Sequence, residues 1–460
     1  MTPVRLTLGW IADAVGGTLT AGDAMKEVGE VAIDSRATGA GDLFVAIRGP
    51  RFDGHDFVAD VLRRGAAGAI VDDGSGPGLI RVDDTVRALQ DLAHAVRMAA
   101  GTRVVAITGS AGKTTTKETI AAFLGRRKTV VKNKGNLNNH IGLPLSLMQV
   151  RQAPDVAVME LGMNHAGEIS TLVAIAEPDV RVWTNVGDAH LGFFASPDAI
   201  ADAKAEILER ATASTVLVCN ADDSRVMTRV ATFAGRTVTF GTAAGANVRA
   251  ADVEDRGLSG MRARVTTPAG RVLIETPLLG RGNLSNVLAA TAVAIDFGIP
   301  LDEVADAASQ LRPADRRGTV RRLGRGVTIV DDSYNSSPAA LAKALEVIAR
   351  ETGATRKIAV IGEMLELGEH ATRLHTESGR TVARSGVDVL FAVGADPARA
   401  LAAAAIEEGM PAEAVTHFAT SEEAATTVAG AVRPGDLVLV KGSRGIRTDR
   451  VVDALTAEFA

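Results

Sequence analysis

The residues best suited to chemistry are Gly109-Ser110-Ala111-Gly112-Lys113-Thr114-Thr115, set between the apolar run 104–107 and a segment with Ile120, Phe123 and Leu124 on one helical face before Gly125. Glycines let backbone N–H groups turn toward phosphate, a helix N-terminus adds positive potential, and a lysine reaches the terminal phosphates. Thr114 would supply a hydroxyl to Mg²⁺. The stretch therefore reads as an ATP phosphate loop, two residues shorter than the usual spacing because Ile107 stands where its first glycine would fall. The alternative is an ordinary glycine-rich turn.

Two further groups sit where strands should end. Glu160 closes the run 156–159, and His190 follows the run 180–184 in Asn185-Val186-Gly187-Asp188-Ala189-His190. Open parallel sheets collect ligands at the carboxyl ends of their strands, so both could hold metal beside the phosphates, although either is also a common loop residue. Lys204 shares a helical face with Ile200, Ile207 and Leu208 after the start signal Ser196-Pro197-Asp198. It is either a snorkelling stem or a buried, functional amine. Asn283-Leu284-Ser285-Asn286 precedes the alanine-rich stretch 287–294 and would either cap that helix or read an adenine edge. Asp331-Asp332-Ser333-Tyr334-Asn335 ends another strand, and adjacent acids there call for a cation or a donor-rich ligand.

These groups need rigid elements. With 460 residues the chain is long enough for about three domains, or one large domain plus an appendage. Apolar residues are 46%, charged residues 23% and aromatics 3%, so the cores must be Ala, Val, Leu and Ile, the usual filling of parallel sheets between helices. The first residues, to 97, show short apolar runs, a turn at Gly49-Pro50 and a helix over 86–99. Strand then helix follows from 103, and Arg312-Pro313 opens an arginine-rich linker. The remainder alternates: strand 327–330, helix from Pro338 capped by Ser337, strand 358–361, helix from His370, strand 387–393, helix, strand 437–440, helix. The expected fold is α/β in three domains: a small N-terminal one (1–97), a central phosphate-loop parallel-sheet one (98–311) and a doubly wound, Rossmann-like C-terminal one (312–460).

A net charge of −5 without any basic, aromatic-interleaved stripe argues against nucleic-acid binding. The longest apolar run, around 400–406, is far short of the ~20 residues that span a bilayer, and no signal peptide or membrane anchor is read. The lone Cys219 lies in an apolar stretch and suits a core position better than a nucleophile. A cytoplasmic, monomeric protein is expected.

Together these motifs resemble the bacterial Mur ligases over nearly the whole length. Asp34-Ser35-Arg36, Gly41-Asp42-Leu43-Phe44-Val45-Ala46 and Asp53-Gly54-His55-Asp56-Phe57 resemble that family's nucleotide-sugar domain, and the short phosphate loop is the family's own form. Asn136-Leu137-Asn138-Asn139-His140-Ile141-Gly142-Leu143-Pro144, Met159-Glu160-Leu161-Gly162-Met163-Asn164, Asp332-Ser333-Tyr334-Asn335 with Pro338, and Gly362-Glu363-Met364-Leu365-Glu366-Leu367-Gly368 are similar to the family's other segments. The resemblance implies ATP-dependent amide formation in cell-wall peptidoglycan synthesis, with UDP-N-acetylmuramoyl-tripeptide and D-alanyl-D-alanine as substrates. It places Gly109 to Thr115 on the phosphates with Lys113 at the γ-phosphate, Thr114 and Glu160 on one Mg²⁺, and His190 with a carbamylated Lys204 on a second. Asn283 and Asn286 would meet adenine, Arg317 and Asp331 the triphosphate and ribose, and Ser35 and Arg36 the nucleotide-sugar. Asn138 and Asn139 would hold the muramoyl-peptide, and Tyr334, Asn335 and Ser336 the dipeptide. The chain differs from the family's usual pattern at Gly282, where a histidine is common, and at Ser336-Ser337, where Ala-Asn is common. A nucleotide-driven switch, or a family member adding a single amino acid, are the competing readings.

Overall fold

The computed structural model describes residues 2–187 and 192–460. Three α/β units follow one another, each with its own sheet. The first sheet has the order Thr18–Leu19, Leu79–Arg81, Gly68–Val71, Leu43–Val45, Val31–Ala32, parallel except for its first pair. Helix Thr85–Ala100 follows, capped by the Asp84 carboxylate and ended by Gly101 at φ 66°. It packs on helices Gly142–Leu147 and Glu168–Ala176 of the next unit. The buried Arg97 fastens it there, donating to the carbonyls of Ala176 and Glu177 and to Asp179 Oδ2 at 2.8 Å. The expected boundary after residue 97 thus falls inside one helix.

The central sheet has nine strands, with Arg103–Thr108 between Val156–Glu160 and Val180–Trp183. Each apolar run singled out in this region forms a strand. Alternate residues serve two cores: Val104 and Ala106 pack to one side, Val105 and Ile107 to the other. Beyond Val216–Asn220 and Arg236–Gly241 the sheet departs from the expected parallel form. Val248–Asp255, Met261–Thr267 and Gly270–Thr276 make an antiparallel meander. These strands alternate buried and exposed residues and carry arginines, so they hold no continuous apolar run to reveal them.

In the last unit the order is Thr319–Arg322, Thr328–Asp332, Asp436–Lys441, Arg356–Gly362, Val389–Val393 and Val415–Phe418. Thr319–Arg322 is antiparallel and lies within the stretch read as a linker. Helices Pro338–Ala349, Ala371–Arg384 and Asp396–Glu407 contribute to the core on one face, and Ser421–Ala431 and Asp449–Glu458 to the core on the other, as a doubly wound unit requires. This unit meets the central one where helix Pro338–Ala349 packs on helix Gly280–Asp296 and Arg350 pairs with Asp255 at 2.6 Å. A second contact is the Gly192 N–H donating to Glu366 O at 3.0 Å.

Candidate active site

Strand Arg103–Thr108 ends in the phosphate loop, and helix Lys113–Leu124 begins at the lysine itself. Two glycines are required by what lies behind them. A Cβ on Gly109, at φ 150°, would overlap Thr184 Oγ1, and one on Gly112, at φ 83°, would overlap Asn286 Oδ1. The loop is fastened from the next strand end: Asn185 Oδ1 accepts the Ala111 N–H, while Asn185 Nδ2 and Thr184 Oγ1 both donate to Ala111 O, all at 2.9 Å. Ser110 Oγ accepts the Gly187 N–H at 2.9 Å. Sequence reasoning assigns Asn185 no role; its only signal is an amide side chain directly after a buried strand. Thr115 faces a cleft of about 540 Å³ shared with Arg126, Lys132 and Arg312.

Lys113 Nζ donates to Gly109 O at 2.8 Å. Burial pushes its pKa below the usual lysine value and Arg317 adds to that shift, whereas Glu160 and Glu366 oppose it. Groups from the central and C-terminal units therefore act on one ammonium.

Glu160, the last residue of its strand and buried, has both oxygens engaged. Oε2 accepts Thr114 Oγ1 at 2.7 Å, and Oε1 accepts Asn138 Nδ2 at 2.8 Å. One carboxylate thereby joins the phosphate loop to the loop carrying Asn138. Asn139 points elsewhere, its Oδ1 accepting the Gly142 N–H at 2.8 Å at the start of helix Gly142–Leu147. A hydroxyl and a carboxylate at a phosphate loop are hard oxygen donors that suit Mg²⁺, which takes few protein ligands and leaves positions for phosphate. No group of three His, Cys, Asp or Glu residues forms a cage among the described residues.

Lys204 lies in helix Pro197–Ala205, whose N-cap Ser196 accepts the Ala199 N–H. Its side chain is 1% exposed, which removes the snorkelling alternative. Burial, and secondarily the nearby Lys113 charge, hold its pKa well below the ordinary lysine value. His190 lies outside the described residues.

The asparagine pair does not cap a helix. Helix Gly280–Asp296 begins ahead of both, so Asn283 and Asn286 stand in its first turns. Asn286 is buried, accepts Thr116 Oγ1 at 3.2 Å and donates to Asn283 Oδ1 at 3.1 Å; it locks this helix to the phosphate-loop helix. Asn283 is half-buried beside it.

From the C-terminal unit, the Arg317 guanidinium lies 4.2 Å from the centre of the Tyr334 ring. Asp331 is buried and engaged by Arg321 at 3.0 Å and by Ser333 Oγ at 2.6 Å. Lys441 Nζ donates to Asp332 Oδ2 at 2.6 Å and to Asn335 O at 2.9 Å, setting the turn that carries Asn335 and Ser336. Ser336 is buried and its hydroxyl has no hydrogen-bond partner among the described residues. In the N-terminal unit, Arg36 makes a two-pronged contact with Asp34, holding that carboxyl down at about 2, and Ser35 O accepts from Arg64. These two residues are not brought to the phosphate loop by any of these contacts. Cys219 is buried in the core, and burial pushes its thiol up to about 12, so it is no nucleophile at neutral pH.

Residues 27–104 match the Mur ligase family catalytic domain, 107–294 the Mur ligase middle domain and 316–444 the Mur ligase glutamate ligase domain. The chain is 34% identical over 459 residues to UDP-N-acetylmuramoyl-tripeptide–D-alanyl-D-alanine ligase of Bacillus subtilis, covering 98% of each. The chain belongs to the Mur ligase family. The Escherichia coli ligase of the same name is also 34% identical, over 98% of each chain. Among solved structures, this Mur ligase is similar to MurF from Acinetobacter baumannii, with a TM-score of 0.90, 31% identity and coverage of 99% and 100%. MurF from Thermotoga maritima, solved in complex with ADP, gives a TM-score of 0.83 at 31% identity, covering 93% of this Mur ligase and 97% of that chain. No helix among the described residues is long and apolar enough to cross a membrane.

Proposed function

We propose that this Mur ligase joins D-alanyl-D-alanine to UDP-N-acetylmuramoyl-tripeptide at the expense of ATP, in the cytoplasmic stage of peptidoglycan synthesis. The observation that carries the reading is Glu160, whose two oxygens join Thr114 of the phosphate loop to Asn138 of the peptide-side loop. An enzyme that transfers phosphate from ATP to a peptide carboxylate needs its two anionic substrates registered against each other, and a shared side chain does that. The names carried by relatives of matching length support the same substrates.

The peptide carboxylate attacks the γ-phosphorus, ADP leaves, and an acyl phosphate forms. The dipeptide amine then adds to the acyl carbon, and the tetrahedral intermediate collapses with loss of phosphate and a proton. Lys113 exchanges the Gly109 carbonyl for the γ-phosphate, offsetting the charge of two approaching anions. Thr114 and Glu160 would hold one Mg²⁺, and His190 with a carbamate on Lys204 a second; when bound, the metal neutralises phosphate charge as a Lewis acid. Carbamylation requires a neutral amine, which the burial of Lys204 favours. Arg317, already close enough to weigh on Lys113, steadies the triphosphate from the C-terminal unit. Asn283 is offered to adenine with Asn286 beneath it, and Asp331 orders the ribose side through Arg321 and Ser333.

Ser35 and Arg36 take the nucleotide-sugar handle, Asn138 and Asn139 the muramoyl-peptide, and Tyr334, Asn335 and Ser336 the dipeptide. The N-terminal unit then holds the nucleotide-sugar end, the central unit ATP and the muramoyl-peptide, and the C-terminal unit the dipeptide, all within a monomer, and their alignment can be worth about 7–11 kcal/mol of the barrier. Phosphate release from the purified enzyme tests the reading. It should require ATP, UDP-muramoyl-tripeptide and D-alanyl-D-alanine together; vigorous hydrolysis without an amine, or better use of a single amino acid, would overturn it.

A further inference from the structure

Helix Lys113–Leu124 carries a second lysine that the reaction does not use. Lys117 lies one turn below Lys113, is 1% exposed, and donates from Nζ to Asn133 O at 2.7 Å, with Glu118 Oε1 3.4 Å away. Burying an ammonium is costly, and an unbranched apolar side chain of similar length would fill the same space without that cost. The structure shows what the charge holds. Asn133 is itself 1% exposed and spends its side chain on backbone. Its Oδ1 accepts the Glu160 N–H at 3.1 Å, and its Nδ2 donates to Glu160 O at 3.1 Å and to Leu137 O at 2.9 Å. Asn133 therefore grips both backbone groups of residue 160 and the residue before Asn138.

We infer that Lys117 and Asn133 form a strut that positions Glu160 between Thr114 and Asn138, so that the ATP side and the peptide side keep their register. This rests on the proposed reading of the site. Neither residue touches substrate: Lys117 fixes the backbone at 133, Asn133 fixes residues 137 and 160, and the Glu160 carboxylate then has one place to lie. The phosphate loop itself, held by Asn185 and Thr184, does not depend on the strut. Its failure would misplace Glu160 and Asn138 while leaving Lys113 and the loop amides in position.

The experiment compares wild type, Lys117→Met, Asn133→Ser and the double variant. Calorimetric binding of ADP without Mg²⁺ should be unchanged in all four. Binding of UDP-muramoyl-tripeptide without metal should weaken, and the Mg²⁺ concentration giving half-maximal turnover should rise, each by about ten- to a hundredfold in either single variant. The double variant should be no worse than the weaker single one, because both substitutions cut one chain of contacts. If Lys117→Met does not fold, the Asn133→Ser measurements decide alone. Unchanged peptide affinity and Mg²⁺ dependence in Asn133→Ser, losses that simply add, or weakened metal-free ADP binding would overturn the strut. Wild-type enzyme failing to bind UDP-muramoyl-tripeptide would instead overturn the substrate reading.

Discussion

Lys113 and Lys204 are two desolvated amines with opposite demands. In the proposed mechanism Lys113 must be charged when it meets phosphate, and its resting contact is a single carbonyl, so Lys113→Ala should leave the melting temperature near that of wild type. Turnover at saturating ATP should fall on the order of 10²- to 10³-fold, as for loss of a donor to a charged transition state; near-normal turnover would remove the phosphate-loop assignment. In the proposed mechanism Lys204 must be neutral to take up CO₂. Its pKa in the folded protein lies well below the ordinary 10.5, so between those two values the unfolded chain binds the extra proton. Stability therefore rises with pH across that window and levels off above 10.5. Urea unfolding in CO₂-free buffer should show this rise in wild type and lose it in Lys204→Met. Lys204→Ala should be nearly inactive, with activity partly returned by short-chain carboxylic acids that occupy the vacated space.

The helix that opens the C-terminal unit's crossover follows from its sequence: Ser337 caps Pro338–Ala349 by accepting the Ala340 N–H. Ser337→Ala should cost about 0.5–2 kcal/mol in equilibrium unfolding. The phosphate-loop helix is set more severely, since Gly112→Ala would demand both a left-handed alanine and displacement of Asn286. That variant should lose ADP affinity in direct titration while Gly125→Ala, outside the loop, keeps it. Where continuous apolar runs are bounded by glycines or capping residues, the strands and helices are legible in the sequence. Where strands expose one face, as in residues 248–276, alternation diluted by arginines hides them. Side-chain roles are the least readable level. Asn138 and Asn139 are adjacent and identical, yet one reaches a carboxylate and the other a backbone N–H at the start of a helix. Likewise, the contact of Asn286 with Thr116 joins residues 170 apart and has no local sequence signature.

Across the molecule, the N-terminal and central units are stapled by a buried arginine, whereas the C-terminal unit meets the central one partly through glycines. A Cβ on Gly192 would stand 2.8 Å from Glu366 O and from Gly368 N. Gly192→Val should therefore hold the C-terminal unit away: a larger radius of gyration by small-angle X-ray scattering with all substrates present, and turnover lower by about 10²-fold. An unchanged radius and rate would show that this contact does not limit approach. The shared Glu160 carboxylate has a thermodynamic corollary. If filling the nucleotide loop changes the pull of Thr114 on one oxygen, it changes what the other offers Asn138, so ATP and the muramoyl-peptide cannot bind independently. Whatever factor ATP applies to the affinity of the peptide, the peptide must apply to the affinity of ATP, because the two routes around the binding cycle end in the same complex.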